Sequence, residues 1–136
     1  MARRVFISFK MEDKGLVDGL RLLASNPNFD LEFYDESVRV AIDSRDADYI
    51  KRRIREKIVR AGVVLCLVNT DTHTSKWVTW ELSTAIRLGT PIVAMAAKGV
   101  SSATLPGPIR GKVELYIWDP LSLETYIDSA MIVPLG

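Results

Sequence analysis

Val63-Val64-Leu65-Cys66-Leu67-Val68 is the most strand-like stretch of the chain, an apolar run rich in β-branched residues and ended by the polar Asn69. A strand wetted on one face alternates apolar with polar residues. This run has no polar position to turn toward water, so it predicts a strand covered on both faces, as in a parallel sheet flanked by helices. Cys66, the lone cysteine, lies inside the run and has no second cysteine to pair with; it reads as a buried, inert thiol.

Toward the N-terminus, Ala47 to Arg60 places Ala47, Ile50, Ile54 and Ile58 on one stripe. This predicts a helix, with Asp46 or Ser44 as N-cap and Asp48 favoured in the first turn by the dipole. A polar loop, 35–46, precedes it. Asp30 to Tyr34 alternates Leu31 and Phe33 with Glu32 and Tyr34, which suits a strand near the sheet edge. Asn26-Pro27-Asn28 breaks a helix that starts at about Asp13 and carries Leu16, Leu20, Leu23 and Ala24 at helical spacing. Arg4 to Phe9 is the first strand, short and apolar on both faces.

Toward the C-terminus, the loop Asn69 to Ser75 leads into a helix from Lys76 to about Leu88. Ser75 or Thr74 can cap it, and Gly89 and Pro91 stop it. Ile92 to Ala96 is a short buried strand. Lys98 to Gly111, rich in Gly, Ser and Pro, reads mostly as loop. Val113 to Trp118 alternates, with Val113, Leu115 and Ile117 expected inward and Glu114, Tyr116 and Trp118 outward, so it belongs at the opposite edge. Leu121 to Ala130 offers a last short helix.

Strands alternating with helices define an α/β domain, and right-handed crossovers put helices on both faces. With apolar runs in the middle and alternating ones at the edges, five strands fit a parallel flavodoxin-like sheet of order 2-1-3-4-5. The 136 residues suffice for one domain, 1–136, with a single core. In such sheets ligands bind beyond the carboxyl ends of the strands, at the switch between the first and third. That rim comprises Ser8 to Glu12, the 35–46 loop and Asn69 to Trp77.

Composition narrows the partners. Hydrophobic residues make up 48% and charged residues 26%, as in an ordinary soluble protein. A formal charge of +1 gives no global reason to expect nucleic acid or an anionic membrane. No apolar stretch approaches the roughly 20 residues that span a bilayer. Arg3 and Arg4 are followed by only a few apolar residues before Lys10, so no signal peptide is visible. The expected location is the cytoplasm.

The rim also excludes several chemistries. Phe9-Lys10-Met11-Glu12 has no glycine, and neither GxGxxG nor GxxxxGKS occurs in the chain. A phosphoacceptor domain needs an acidic pair after the first strand and an Asp ending the third, where this chain has Ser8-Phe9-Lys10 and Asn69. What the rim offers is Trp77 and Glu81, at i and i+4 on the third helix, sharing one face beside the inward stripe Val78, Leu82, Ala85 and Ile86. An indole can stack on a flat cationic ring. A carboxylate can bond ribose hydroxyls and stabilise positive charge at the anomeric carbon as a pyridinium base departs. The competing reading makes Trp77 a core residue and Glu81 a solvated one.

Arg4-Val5-Phe6-Ile7-Ser8-Phe9 resembles the opening strand of TIR domains, an apolar run ending in Ser-Tyr or Ser-Phe. Ser75-Lys76-Trp77-Val78-Thr79-Trp80-Glu81-Leu82 resembles the TIR helix in which a Trp is followed four residues later by the catalytic Glu of NAD-consuming members. Gly89-Thr90-Pro91-Ile92-Val93 is similar to the next signature, a glycine and then a buried strand. These matches fall in order over roughly residues 4–96. They are most similar to the TIR-like group that includes the TIR protein of bacterial Thoeris antiphage systems. The resemblance implies a catalytic Glu81, Trp77 beside the nicotinamide site, and Ser8, Phe9 and Lys10 lining the cleft, with Lys10 near the ribose or phosphates. It also implies NAD as substrate rather than as cofactor. The product would be a cyclic ADP-ribose type signal that reaches a separate effector protein, and TIR–TIR assembly or a homo-oligomer is a further expectation. The 35–46 loop takes the place of the family's BB loop but has neither the Gly nor the Pro common there.

Lys51, Arg52, Arg53, Arg55, Lys57 and Arg60 crowd the second helix, opposed there by Glu56. They read as a solvated face, or as a surface for an acidic partner or a neighbouring subunit. Nucleic acid ranks below both, for want of interleaved aromatics. His73, the single histidine, lacks the companions of a zinc site and reads as a surface loop residue. Helix capping explains two of Asp43, Asp46 and Asp48, so no metal site is expected. Trp80 and Trp118 read as packing residues. Two functions lead at this point, an NAD-cleaving enzyme and a non-catalytic TIR-type interaction module, with a receptor that binds a nucleotide without turning it over ranking third.

Overall fold

The structure, a computed structural model, describes residues 3–26, 31–35 and 40–132, the side chain of Ile132 excepted. Parts of the expected breaker (Pro27, Asn28), of the second strand (Asp30) and of the 35–46 loop (36–39) lie outside the described residues. In chain order the elements are β1 (Arg3–Ser8), α1 (Lys14–Ala24), β2 (Leu31–Tyr34), α2 (Ala47–Ala61), β3 (Val64–Val68), α3 (Lys76–Arg87), β4 (Ile92–Ala96), β5 (Leu115–Tyr116) and α4 (Leu123–Ile132). The five strands pair in the order β2-β1-β3-β4-β5, and every pairing is parallel. This is the α/β sheet and the strand order that the apolar pattern predicts.

Strand periodicity divides the core into two layers. Side chains alternate across a strand, so Val64, Cys66 and Val68 of β3 join Phe6 of β1 on one face, under α2 and α3. Leu65 and Leu67 join Val5, Ile7 and Phe9 on the other, under α1 and α4. All five residues of β3 are buried, which is why its sequence has no polar position.

The helices seat themselves through their stripes. On α2 the expected Ala47, Ile50, Ile54 and Ile58 are all buried. Gly62 ends that helix at φ 82°, the left-handed turn a glycine adopts without strain, and its N–H bonds the Ile58 carbonyl. Asp46 stands at the N-cap position without a side-chain capping bond. On α1 the buried residues are Val17 and Leu20, with Leu16 and Ala24 partly covered, whereas Leu23 is 37% exposed. Leu23 lies about a quarter turn from the stripe centre set by Val17 and Leu20. Ser75 caps α3, its Oγ accepting from the Val78 N–H at 3.2 Å.

The far edge departs from expectation. Strand β5 has only two residues, and Ile117, expected inward, is 65% exposed. Tyr116 and Trp118, expected outward, pack against the α1/α4 layer. The cause is α4, which folds back over this side and stacks Tyr126 on Tyr116 at 3.8 Å between ring centroids. Both sides of this edge are thus covered, so alternation there does not signal a wet face.

Charge is distributed unequally between the two sides. Helix α2 carries six basic residues against Asp48 and Glu56, whereas α4 carries Glu124 and Asp128 and no basic residue. Among the described residues, no helix is long and apolar enough to cross a membrane.

Candidate functional site

The site is built where β1 ends beside β3. Ser8 is the last residue of β1 and stands in register with Cys66. Phe6 faces the α2/α3 layer, so Ser8, two residues on, faces it as well. Above it passes α3, anchored by buried Val78, Leu82 and Ala85. That seating turns the second turn of α3 inward and buries Glu81 completely. The Ser8 hydroxyl donates to Glu81 Oε1 at 2.8 Å, a bond joining positions 73 apart in sequence.

A buried carboxylate is costly, by several kcal/mol, unless hydrogen bonds replace its lost hydration. The solvated reading of Glu81 therefore does not describe this side chain. Its charge is felt next door: the Cys66 thiol is pushed well above its ordinary pKa, first by burial and then by the negative charge of Glu81. Cys66 is fully buried and unpaired in a disulfide, and it is held protonated.

Trp77 is 8% exposed. Its indole Nε1–H donates to the Val40 carbonyl at 2.7 Å, and its ring meets Trp80 edge-on at 6.1 Å. The indole is thus both a core residue and the point where the 35–46 loop is tied, at Val40, to α3.

Lys10 leaves β1 toward the tip of β3, where its ammonium donates to Asp71 Oδ2 at 2.6 Å. This bond raises the Lys10 pKa and lowers that of Asp71. Phe9 does not join the group. It is fully buried in the α1/α4 layer, on the opposite face of the sheet from Ser8 and Glu81. Alternation along an extended backbone forces that separation: two consecutive residues of a strand cannot face the same cleft.

Sequence reasoning did not single out four polar residues that the structure places on this rim. The Asn69 side-chain amide donates to Asp13 Oδ1 at 2.9 Å, and the Asn69 backbone N–H donates to Thr72 Oγ1 at 2.7 Å. Thr72 is fully buried and Asp13 is 9% exposed, while Asp71 holds Lys10. The available signal was positional, since Asn69 follows the buried run of β3 directly and Asp13 follows β1 by a few residues. His73 lies on the 3-10 turn Thr72–Thr74, half-buried. Trp80 packs against the α2/α3 layer and Trp118 against the α1/α4 layer, so of the two expectations for Trp118, packing and an outward face, the packing one holds.

Two open cavities border described residues. One, of about 450 Å³, runs along the outer side of α3 past Ser75, Lys76, Thr79, Trp80 and Arg87. The other, of about 530 Å³, lies at the β2 edge between Arg21 and Tyr34. Neither of these two is lined by Ser8 or Glu81, and the Glu81 side chain is fully buried. Among the described residues no group of three or more His, Cys, Asp or Glu side chains is arranged to hold a metal ion.

A parallel sheet of order 2-1-3-4-5, with a serine ending its first strand and a tryptophan and glutamate one turn apart on the third helix, is the arrangement expected of a TIR-like α/β domain. The model of one such family, the Thoeris protein ThsB, TIR-like domain, matches residues 6–102, and the chain belongs to that family. The fold is also that of the CMP N-glycosidase BcmB of Clostridium botulinum, with a TM-score of 0.56 at 16% identity, covering 92% of this chain and 98% of that one. Comparison with curated proteins finds no match.

Proposed function

We propose that the chain is an NAD-consuming enzyme that cleaves the bond between nicotinamide and ribose, with Glu81 as its catalytic residue. The observation that carries this reading is the Glu81 carboxylate, fully buried where β1 ends beside β3 and held there by the Ser8 hydroxyl. Nicotinamide leaves NAD as a neutral molecule, so the reaction needs no general acid. Its demand is for negative charge opposite the cationic ribosyl centre. One carboxylate in a water-poor site meets that demand, because electrostatic stabilisation is strongest where the dielectric is low.

Membership of the ThsB TIR-like family supports the reading. The neighbouring fold adds support of a coarser kind, since that protein is named as an N-glycosidase of a nucleotide, CMP. NAD serves as substrate, and no further cofactor is invoked. In this reading Trp77 flanks the nicotinamide, and Lys10 exchanges Asp71 for the ribose or phosphates. Phe9 supports β1 from behind. Glu81 is enclosed, so catalysis requires the rim to part. That requirement favours an enzyme kept silent in the cytoplasm until triggered, its product being a cyclic ADP-ribose type signal to a separate effector in antiphage defence.

Purified protein incubated with NAD is expected to release nicotinamide when extract from phage-infected cells is added, and far less without it. Glu81→Gln, which keeps the shape but removes the charge, is expected to lower the rate by about a hundredfold or more, the scale of losing one principal transition-state stabiliser. Undiminished turnover in that variant would remove Glu81 from the role.

A second reading, a non-catalytic TIR-type interaction module, rests on α2. There Arg52 and Arg55 are exposed, and Arg53 lies over the Tyr49 ring at 5.7 Å. An acidic partner or a second copy of the chain fits that face. Under this reading Arg52→Glu with Arg53→Glu abolishes association, while Glu81→Gln leaves signalling in cells unchanged.

A further inference from the structure

The hydrogen bond between Ser8 and Glu81 restricts what Ser8 can do. A serine hydroxyl has a single proton to donate, and that of Ser8 goes to Glu81 Oε1 at 2.8 Å. Ser8 itself is fully buried. Its strand neighbour in register is Cys66, a protonated thiol that donates hydrogen bonds poorly. Apolar side chains lie around it, with Phe6 two residues before it and Val64 and Val68 flanking Cys66.

We infer that Ser8 is a positioning residue, acting on the substrate only through Glu81 and not as part of the substrate-lining surface. This rests on the reading of Glu81 as the catalytic carboxylate. A carboxylate on a long side chain can turn about its last bond, because that torsion has a broad, flat preference. One donor fixed at Oε1, presented by the end of a central strand, sets the plane of the carboxylate and the direction of its other edge. The donor also favours the ionised form, the one that opposes a ribosyl cation. Strand β1 is well suited to hold that donor still, for it pairs with β2 as far as Phe6 and with β3 through Ser8 itself.

The inference separates from its parent reading in a cycle built on Glu81→Gln. Wild type, Ser8→Ala, Glu81→Gln and the double variant are each measured for nicotinamide release across pH, for NAD binding and for thermal unfolding. Loss of the bond is expected to lower kcat roughly ten- to hundredfold, the weight of a hydrogen bond to a charged group, with KM little changed. The acid limb of the kcat profile is expected to move to higher pH. Ser8→Thr, which restores a hydroxyl on a strand-compatible side chain, is expected to recover most of the rate. Adding Ser8→Ala to Glu81→Gln is expected to leave NAD affinity unaltered, since there is no longer a carboxylate to position.

Turnover retained in Glu81→Gln overturns the parent reading. Turnover lost in Glu81→Gln but unchanged by Ser8→Ala in rate and in pH profile overturns this inference alone. NAD binding weakened by Ser8→Ala in the Glu81→Gln background also overturns it, for Ser8 would then touch the substrate. If Ser8→Ala does not fold, Ser8→Cys keeps the volume with a poor donor and carries the same expectations.

Discussion

At Cys66 one side chain reports on its whole neighbourhood. The thiolate is the reactive form of cysteine, and both burial and the Glu81 charge hold this thiol protonated. Native protein at pH 8 is expected to leave a thiol reagent such as DTNB unreacted for hours, and to react with one equivalent on unfolding in guanidinium. The same shift fixes the sign of an alkaline effect. Unfolded cysteine ionises at about pH 8.5, whereas native Cys66 does not, so its contribution to stability is intact below that pH and declines above it. Buffers spanning pH 7 to 10 in a thermal melt, compared with Cys66→Ala, would reveal this as a slope present in wild type and reduced in the variant. Much of this residue was legible from sequence, because an apolar run on both sides of a cysteine already implies burial. The Glu81 charge beside it was not, since it depends on which turn of α3 crosses β1.

Helix α3 shows what an element can declare in advance and what it cannot. Its start was readable: Ser75 precedes the first turn, and the structure finds it accepting from the Val78 N–H. Ser75→Ala is expected to cost about 1 kcal/mol, seen as a lower midpoint in urea with an unchanged slope. The depth at which Glu81 sits was not readable. Spacing put Trp77 and Glu81 at the border of the apolar stripe, and only the seating of Val78, Leu82 and Ala85 on the sheet decides that this border is fully enclosed. Strand β5 teaches the opposite lesson. Its alternation was genuine, but the face assumed to be wet is roofed by α4, an element near the chain's end. Alternation reports two unlike faces, not which of them meets water. The resemblance groups Phe9 with Ser8 and Lys10 at the cleft, but Phe9 packs in the α1/α4 layer, since an extended backbone presents consecutive side chains to opposite sides.

At the scale of the whole molecule, the strand order followed from β3 and its neighbours, because only central strands can be apolar on both faces. The rim network of Asp13, Asn69 and Thr72 did not, since it joins two strand ends distant in sequence. The two core layers share the sheet as a common wall, so damage to either should be felt by both. Leu20→Ala under α1 and Leu82→Ala under α3, each truncating a fully buried side chain, are expected to cost about 2–5 kcal/mol apiece. Each should unfold in a single transition that near-ultraviolet and far-ultraviolet circular dichroism follow together. Separate transitions for the two variants would mean that the layers are independent.

The unequal charge of α2 and α4 gives this nearly neutral chain a built-in polarity. With a formal net charge of only +1, it still approaches an anionic surface cationic side first. Its orientation on contact is therefore decided before any fit between surfaces is tested, and more strongly in dilute buffer than in salt.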